Sequence, residues 1–181
     1  MIVDLNKICE APDIDILKKN GVTAVGRYYT KNSWVLKGPE AIAICRAGMK
    51  LFTVFENTGH RDLKLTTEQG KAHGQAALKM ARDGVKQPTG GVIYFAAEGI
   101  HEHHPDDGYN ENDVPALKEY FTGILAGIEG QYKVGVYGDG VVCKALLGPF
   151  CTHAWIAAAS YSHPGTKEFY AQEMGPCSDK D

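Results

Sequence analysis

The feature that most constrains this fold is an alternation along the chain. Short apolar runs rich in β-branched and aromatic residues recur, and segments with helical spacing separate them. The strand candidates are Ile2 to Leu5, Val22 to Tyr28, Leu51 to Phe55, Gly91 to Ala97, Lys133 to Tyr137, Ala154 to Ala158 and Phe169 to Gln172. Between them, Pro12 to Gly21 sets Ile14 and Leu17 at helical spacing, and Pro39 to Gly48 does the same for Ile42 and Cys45. Thr66 with Gln69 opens a capping-box-like helix that carries Ala72, Ala76 and Met80 to a stop at Gly84. A helix from about Asn112 to Ile128 gathers Leu117, Tyr120, Phe121, Ile124 and Leu125 on one face, and Asp139 to Leu147 makes a short one.

Strands that alternate with helices predict βα units and a parallel sheet. A truncated eighth unit fits around Cys177 to Asp181, but eight units in 181 residues leaves about 23 residues each, against about 250 for a full barrel. The connection from Ser160 to Glu168 is too short for a helix. The expectation is one domain over residues 1–181, an α/β compact modified (β/α) TIM-like barrel with shortened last units. An open doubly wound sheet is the alternative, and no Pro/Gly-rich linker marks a second domain.

Nineteen basic against 22 acidic side chains leave a net charge of −3, too balanced for the positive field that nucleic-acid or anionic-membrane binding uses. The longest apolar runs, such as Val92 to Ala97, fall far short of the ~20 residues of a membrane span. The start, Met1 to Asn6, lacks the basic start, apolar stretch and cleavage site of a signal peptide. The five cysteines, Cys9, Cys45, Cys143, Cys151 and Cys177, form no CxxC pair and read mainly as buried small hydrophobes. Cys143–Cys151 and Cys9–Cys45 are the pairs an oxidising compartment would allow.

In either parallel architecture, functional groups collect beyond the carboxyl ends of the strands. Acids stand there three times: Asp4 in the first strand, Glu56 closing Leu51 to Glu56, and Glu98 closing Val92 to Glu98. Two carboxylates facing one cleft are the minimum equipment for hydrolysing a glycosidic bond. The alternative for each is a surface acid or a partner for Arg27. Tyr28, Tyr29, Tyr94, Tyr137, Trp155 and Tyr161 accompany these positions, and aromatic bodies with polar tips suit the apolar face and hydroxyl edges of a sugar, although they also serve as ordinary core.

His101, His103 and His104 with Glu102, Asp106 and Asp107 match no zinc signature, and His60 and His153 stand alone. A polar loop of that composition is ordinarily solvated, so no metal and no cofactor are expected. Gly135 to Gly140 follows a strand and opens a helix, which suggests a phosphate site. Its order is GxxGxG rather than a nucleotide motif, and a turn that packs helix on strand would suffice.

On these residues the chain resembles the Rv2525c-like (DUF1906) glycoside-hydrolase-like domains and, more distantly, the glycoside hydrolase family 25 muramidases. Val3-Asp4-Leu-Asn resembles the first-strand acid motif, Val25-Gly-Arg27-Tyr28-Tyr the second-strand Gly-Arg-Tyr, and Val92 to Glu98 the fourth-strand run ending in an acid. Val134-Gly-Val-Tyr137-Gly, Ala154-Trp155-Ile-Ala and Tyr170-Ala-Gln172 resemble the later strands. The resemblance implies a sugar-binding cleft and, from the muramidases, cleavage of the β-1,4 bond between N-acetylmuramic acid and N-acetylglucosamine. Glu98 would be the general acid, and Asp4 would orient or stabilise the reacting sugar. Arg27, Tyr28, Tyr94, Tyr137, Trp155 and Gln172 would bind substrate.

The muramidases carry Asp-x-Glu on the fourth strand, and here Ala96 replaces the first acid. Glu56 would then supply the second carboxylate, or the substrate's acetamido group would act as nucleophile, or the domain binds wall carbohydrate without cleaving it. The expected partner is peptidoglycan or a related polysaccharide, reached at the cell wall, periplasm or cell exterior by a removed leader, non-classical export, phage release or injection. An injected effector would add an immunity or delivery protein.

Overall fold

The computed structural model describes residues 1–57, 63–97 and 111–157. Among these residues six strands form one sheet in the order of the chain: β1 (Ile2–Asp4), β2 (Ala24–Tyr29), β3 (Lys50–Phe55), β4 (Val92–Ala97), β5 (Lys133–Gly138) and β6 (His153–Ile156). Every neighbouring pair is parallel. A doubly wound sheet reverses its strand order at a switch point, and this one does not. The sheet curls into a half-barrel that is not closed among the described residues. The expected seventh strand, Phe169 to Gln172, and the loop from Glu98 to Asn110 lie outside the described residues.

The crossovers are α1 (Ala11–Lys19), α2 (Gly38–Arg46), α3 (Thr67–Lys79), α4 (Val114–Ile128) and α5 (Gly140–Leu146). Thr66 caps α3 by accepting from the Gln69 amide at 3.2 Å, as its sequence predicts. The helix does not run regularly to Gly84: it widens into a π turn over Met80–Val85 and ends at Lys86 in the left-handed region.

The face of α2 differs from expectation. Glu40, Ala41 and Ile44 are buried, whereas Ile42 is 52% exposed and Cys45 is exposed. Glu40 turns inward to meet a buried cation, and since a helix advances about 100° per residue this fixes the phase and rotates Ile42 away from the sheet. Ala72 on α3 and Leu125 on α4 are likewise exposed rather than inward.

The reason for the second difference is a glycine-lined crossing. Gly70 and Gly74 of α3 face Gly123 and Gly127 of α4, and a Cβ at Gly74 would lie 2.6 Å from the Ile124 carbonyl oxygen. At Gly70, Gly123 and Gly127 it would fall onto the carbonyl oxygens of Tyr120, Thr67 and Lys71. The backbones touch, and His73 is carried into the space beside Phe55 and Tyr120, with its Nδ1 2.7 Å from the Tyr120 hydroxyl.

The main core lies between sheet and helices, where Ile93, Phe95, Leu117, Phe121, Ile124 and Leu146 are fully buried. Cys9, Cys45, Cys143 and Cys151 are free thiols, so neither pairing considered from the sequence forms. Burial pushes the Cys143 thiol up to about 12.

Candidate active site

Side chains alternate across a strand, and on the concave face this alternation collects one chemical type. Tyr28, Val54, Tyr137 and Ala157 pack there with Trp34, Phe52, Tyr94, Ala96 and Trp155. The Phe52 ring sits 5.6 Å from Tyr94 and 5.0 Å from Trp155, and Tyr28 meets Trp34 edge-on at 5.3 Å. Two strand glycines make this fit: a Cβ at Gly26 would come within 2.6 Å of the Phe52 ring, and one at Gly135 within 2.6 Å of the Tyr94 ring.

Asp4 closes β1 at this face. Its Oδ2 accepts from the Tyr28 hydroxyl at 2.5 Å and from the Tyr137 hydroxyl at 3.4 Å. Burial, reinforced by the Asp4 hydrogen bond, holds the Tyr28 phenol far above its ordinary range, so it remains a protonated donor. Burial also raises Tyr94. The carboxylate is therefore held on one oxygen by phenols, at the rim of an aromatic wall. Such a surface can stack a sugar face and accept hydrogen bonds from its edge.

The structure places Arg27 elsewhere. It is 0% exposed and points to the helix side of β2, so it does not line the concave face as a substrate ligand. Its Nε and Nη2 donate to the two Glu40 carboxylate oxygens at 2.6 and 3.3 Å, and its remaining bonds go to the carbonyls of Leu5 and Trp34. Glu40 also accepts from the Cys9 amide at 2.9 Å. This cluster ties the chain after β1, the loop carrying Trp34 and α2 to one buried guanidinium, and so fixes Asp4 and Trp34 from behind. Sequence reasoning missed Glu40 because an acid in a first helical turn ordinarily reads as a solvated dipole partner. It missed Trp34 and Phe52 as well, although the parity of β3 was a signal for Phe52.

Glu56 continues the β3 ladder by one residue, its amide donating to the Tyr29 carbonyl at 3.0 Å, and it is half-buried. By alternation it follows Phe52 and Val54. Glu98, Gln172, Tyr161 and the histidine-rich loop lie outside the described residues. Among the described residues no group of His, Cys, Asp and Glu is arranged to hold a metal ion.

The Gly135 to Gly140 turn is built for packing. Asp139 is buried at the N-terminus of α5 and accepts from the Val142 amide at 3.0 Å. A carboxylate thus occupies the position a phosphate would need. No described helix is long and apolar enough to cross a membrane.

Known proteins resemble this chain in sequence and in fold. The chain is 28% identical to the uncharacterized protein YbfG of Bacillus subtilis (strain 168), the match covering 77% of this chain and 20% of that protein. It is 33% identical to the uncharacterized protein FadG of the same organism, over 72% of this chain and 23% of FadG. The chain spans about a fifth of the length of these curated relatives. The crystal structure of the Mycobacterium tuberculosis Tat-secreted protein Rv2525c in complex with L-tartrate superposes with a TM-score of 0.69 at 14% identity, covering 91% of this chain and 82% of that one, which shows a common fold. The sequence profile of the Rv2525c-like, glycoside hydrolase-like domain matches residues 15–175, and with it the chain belongs to that family.

Proposed function

We propose that this domain is a peptidoglycan-directed, muramidase-like glycoside hydrolase, with residues 1–181 forming one TIM-like unit. The observation that carries the reading is the Asp4 carboxylate, fastened through Oδ2 to two phenols beside a wall of Tyr28, Trp34, Phe52, Tyr94 and Trp155. Among the described residues Oδ1 accepts no hydrogen bond, which suits it to receive the N–H of an N-acetyl group.

Glu98 stands in sequence two positions after Ala96, the parity that β4 presents to the groove. In the proposed reaction Glu98 gives its proton to the glycosidic oxygen as the bond from that oxygen to C1 breaks. The acetamido carbonyl oxygen, oriented by Asp4 through its N–H, or the carboxylate of Glu56, forms the new bond to C1. Water then attacks C1, returns a proton to Glu98 and releases the nucleophile. Tyr94, Tyr137, Trp155 and Gln172 would hold flanking sugars. Action at the cell wall fits with Rv2525c being a Tat-secreted protein, and implies export or injection of this chain.

Ala96, which stands where muramidases carry an acid, favours a second reading, a wall-binding module without catalysis. Turbidity loss and reducing-end release from purified peptidoglycan separate the two. The wild type should release reducing ends, and Glu98→Gln should lose a factor of ~10² to 10⁴. Wall binding by the wild type with no release would establish the module instead.

A further inference from the structure

The helix-covered side of the sheet holds a second feature, on the face opposite the concave groove. A cavity of about 550 Å³ opens between α2, the outward faces of β2 and β3, and the segment from Val85 to Pro88. Its walls are Leu36, Ala41, Ile42, Leu51, Val85 and Pro88.

The floor carries three polar side chains that are hydrogen-bonded to one another. The Tyr29 and Thr53 hydroxyls both donate to Gln87 Oε1, at 2.7 and 3.1 Å, and Gln87 Nε2 donates to the Val92 carbonyl at 3.1 Å. An occupant meets chiefly carbon, because the walls are aliphatic. Ile42 stands 52% exposed at the mouth, an apolar cost that an occupant would remove.

The rim is cationic. Arg46 and Lys86 border the cavity, both exposed, and neither forms an ion pair among the described residues. The acids on the same elements are already engaged: Glu40 with Arg27, and Asp83 with Arg82 at 2.9 Å. Lys86 takes the left-handed conformation, with φ of 59°, where the chain leaves the π turn and brings Gln87 under the cavity.

We propose that this cavity binds a small anionic amphiphile, an apolar chain or ring bearing a carboxylate, with its body along Ile42, Leu51 and Val85 and its head group at Arg46 and Lys86. The volume lies in the range of roughly 300–1,000 Å³ common to small-molecule sites. The exposed Cys45 thiol on the lining reports occupancy directly.

The probe is dodecanoate below its micellar concentration. Binding is measured calorimetrically, and Cys45 alkylation by iodoacetamide is followed by mass spectrometry of its peptide. Dodecanoate should slow Cys45 alkylation, dodecanol should do so far less, and Arg46→Glu with Lys86→Glu should weaken dodecanoate about tenfold. These exposed substitutions leave the core intact, which the unfolding midpoint verifies. Ile42→Glu, which puts a carboxylate in the mouth, should abolish protection. Unchanged alkylation at saturating dodecanoate, or equal protection in the charge-reversed variant or in Ile42→Glu, overturns the proposal. Protection by dodecanol as strong as by dodecanoate overturns the anionic assignment and leaves a plain apolar groove.

Discussion

The Tyr137 hydroxyl on β5 donates to the Asp4 carboxylate on β1 at 3.4 Å, although three strands stand between them. Four strand spacings in a flat sheet come to about 19 Å, beyond the combined reach of an aspartate and a tyrosine side chain. The bond exists because the sheet curls, and it closes the concave face into a groove. Tyr28, one strand away, holds the same oxygen at 2.5 Å.

Removing these hydroxyls should act on Asp4 the more strongly the shorter the bond that is lost. Tyr28→Phe deletes a short charge-assisted bond and should cost about 1.5 kcal/mol or more of stability, and Tyr137→Phe less. Urea unfolding checks the order. If the proposed hydrolysis is correct, kcat for peptidoglycan should fall about tenfold in Tyr28→Phe with little change in KM, since the variant misorients Asp4 and leaves the aromatic wall in place.

The Arg27–Glu40 pair should behave as one buried unit. Glu40→Met or Arg27→Met strands the other charge without solvent and should destabilise the fold by about 3–5 kcal/mol, with the double variant Arg27→Met/Glu40→Met recovering much of the loss. Denaturant midpoints of the three variants test this, and additive losses would refute the coupling.

The crossing of α3 and α4 should tolerate no side chain. Gly74→Ala and Gly123→Ala drive a methyl group into facing backbone that cannot rotate away, and should cost at least the ~1–3 kcal/mol of an overpacked core. Gly84→Ala, which meets nothing within 4 Å, is the control and should stay within about 0.5 kcal/mol of the wild type.

His73 should make stability depend on pH. Burial, and secondarily the Lys31 charge, lower its pKa from the ordinary 6.5, so the folded protein binds fewer protons there than the unfolded chain does. Its contribution is fully present above 6.5 and is lost as the pH falls toward the depressed folded value. The unfolding midpoint of the wild type should therefore drop between pH 7.5 and 5.5, and His73→Gln should flatten that part of the profile.

The alternation of β-rich runs with helical spacing determined the element order, because each βα unit writes its own period into the chain. The placement of Asp4 in the first strand, the Thr66 cap and the Asp139 turn follow from local chemistry and stand where the sequence puts them. Tertiary structure decided which side of each element mattered. Helical spacing pointed α2 to the Ile42 and Cys45 face, and the long-range demand of Arg27 for Glu40 turned Ala41 and Ile44 inward instead. Arg27 itself went to the helix side because strand parity sends Tyr28 and Arg27 to opposite faces, and the motif alone does not say which face is the groove. The meeting of Asp4 with Tyr137 across 133 positions depends on the curl of the whole sheet, a sum of small twists that no local segment encodes.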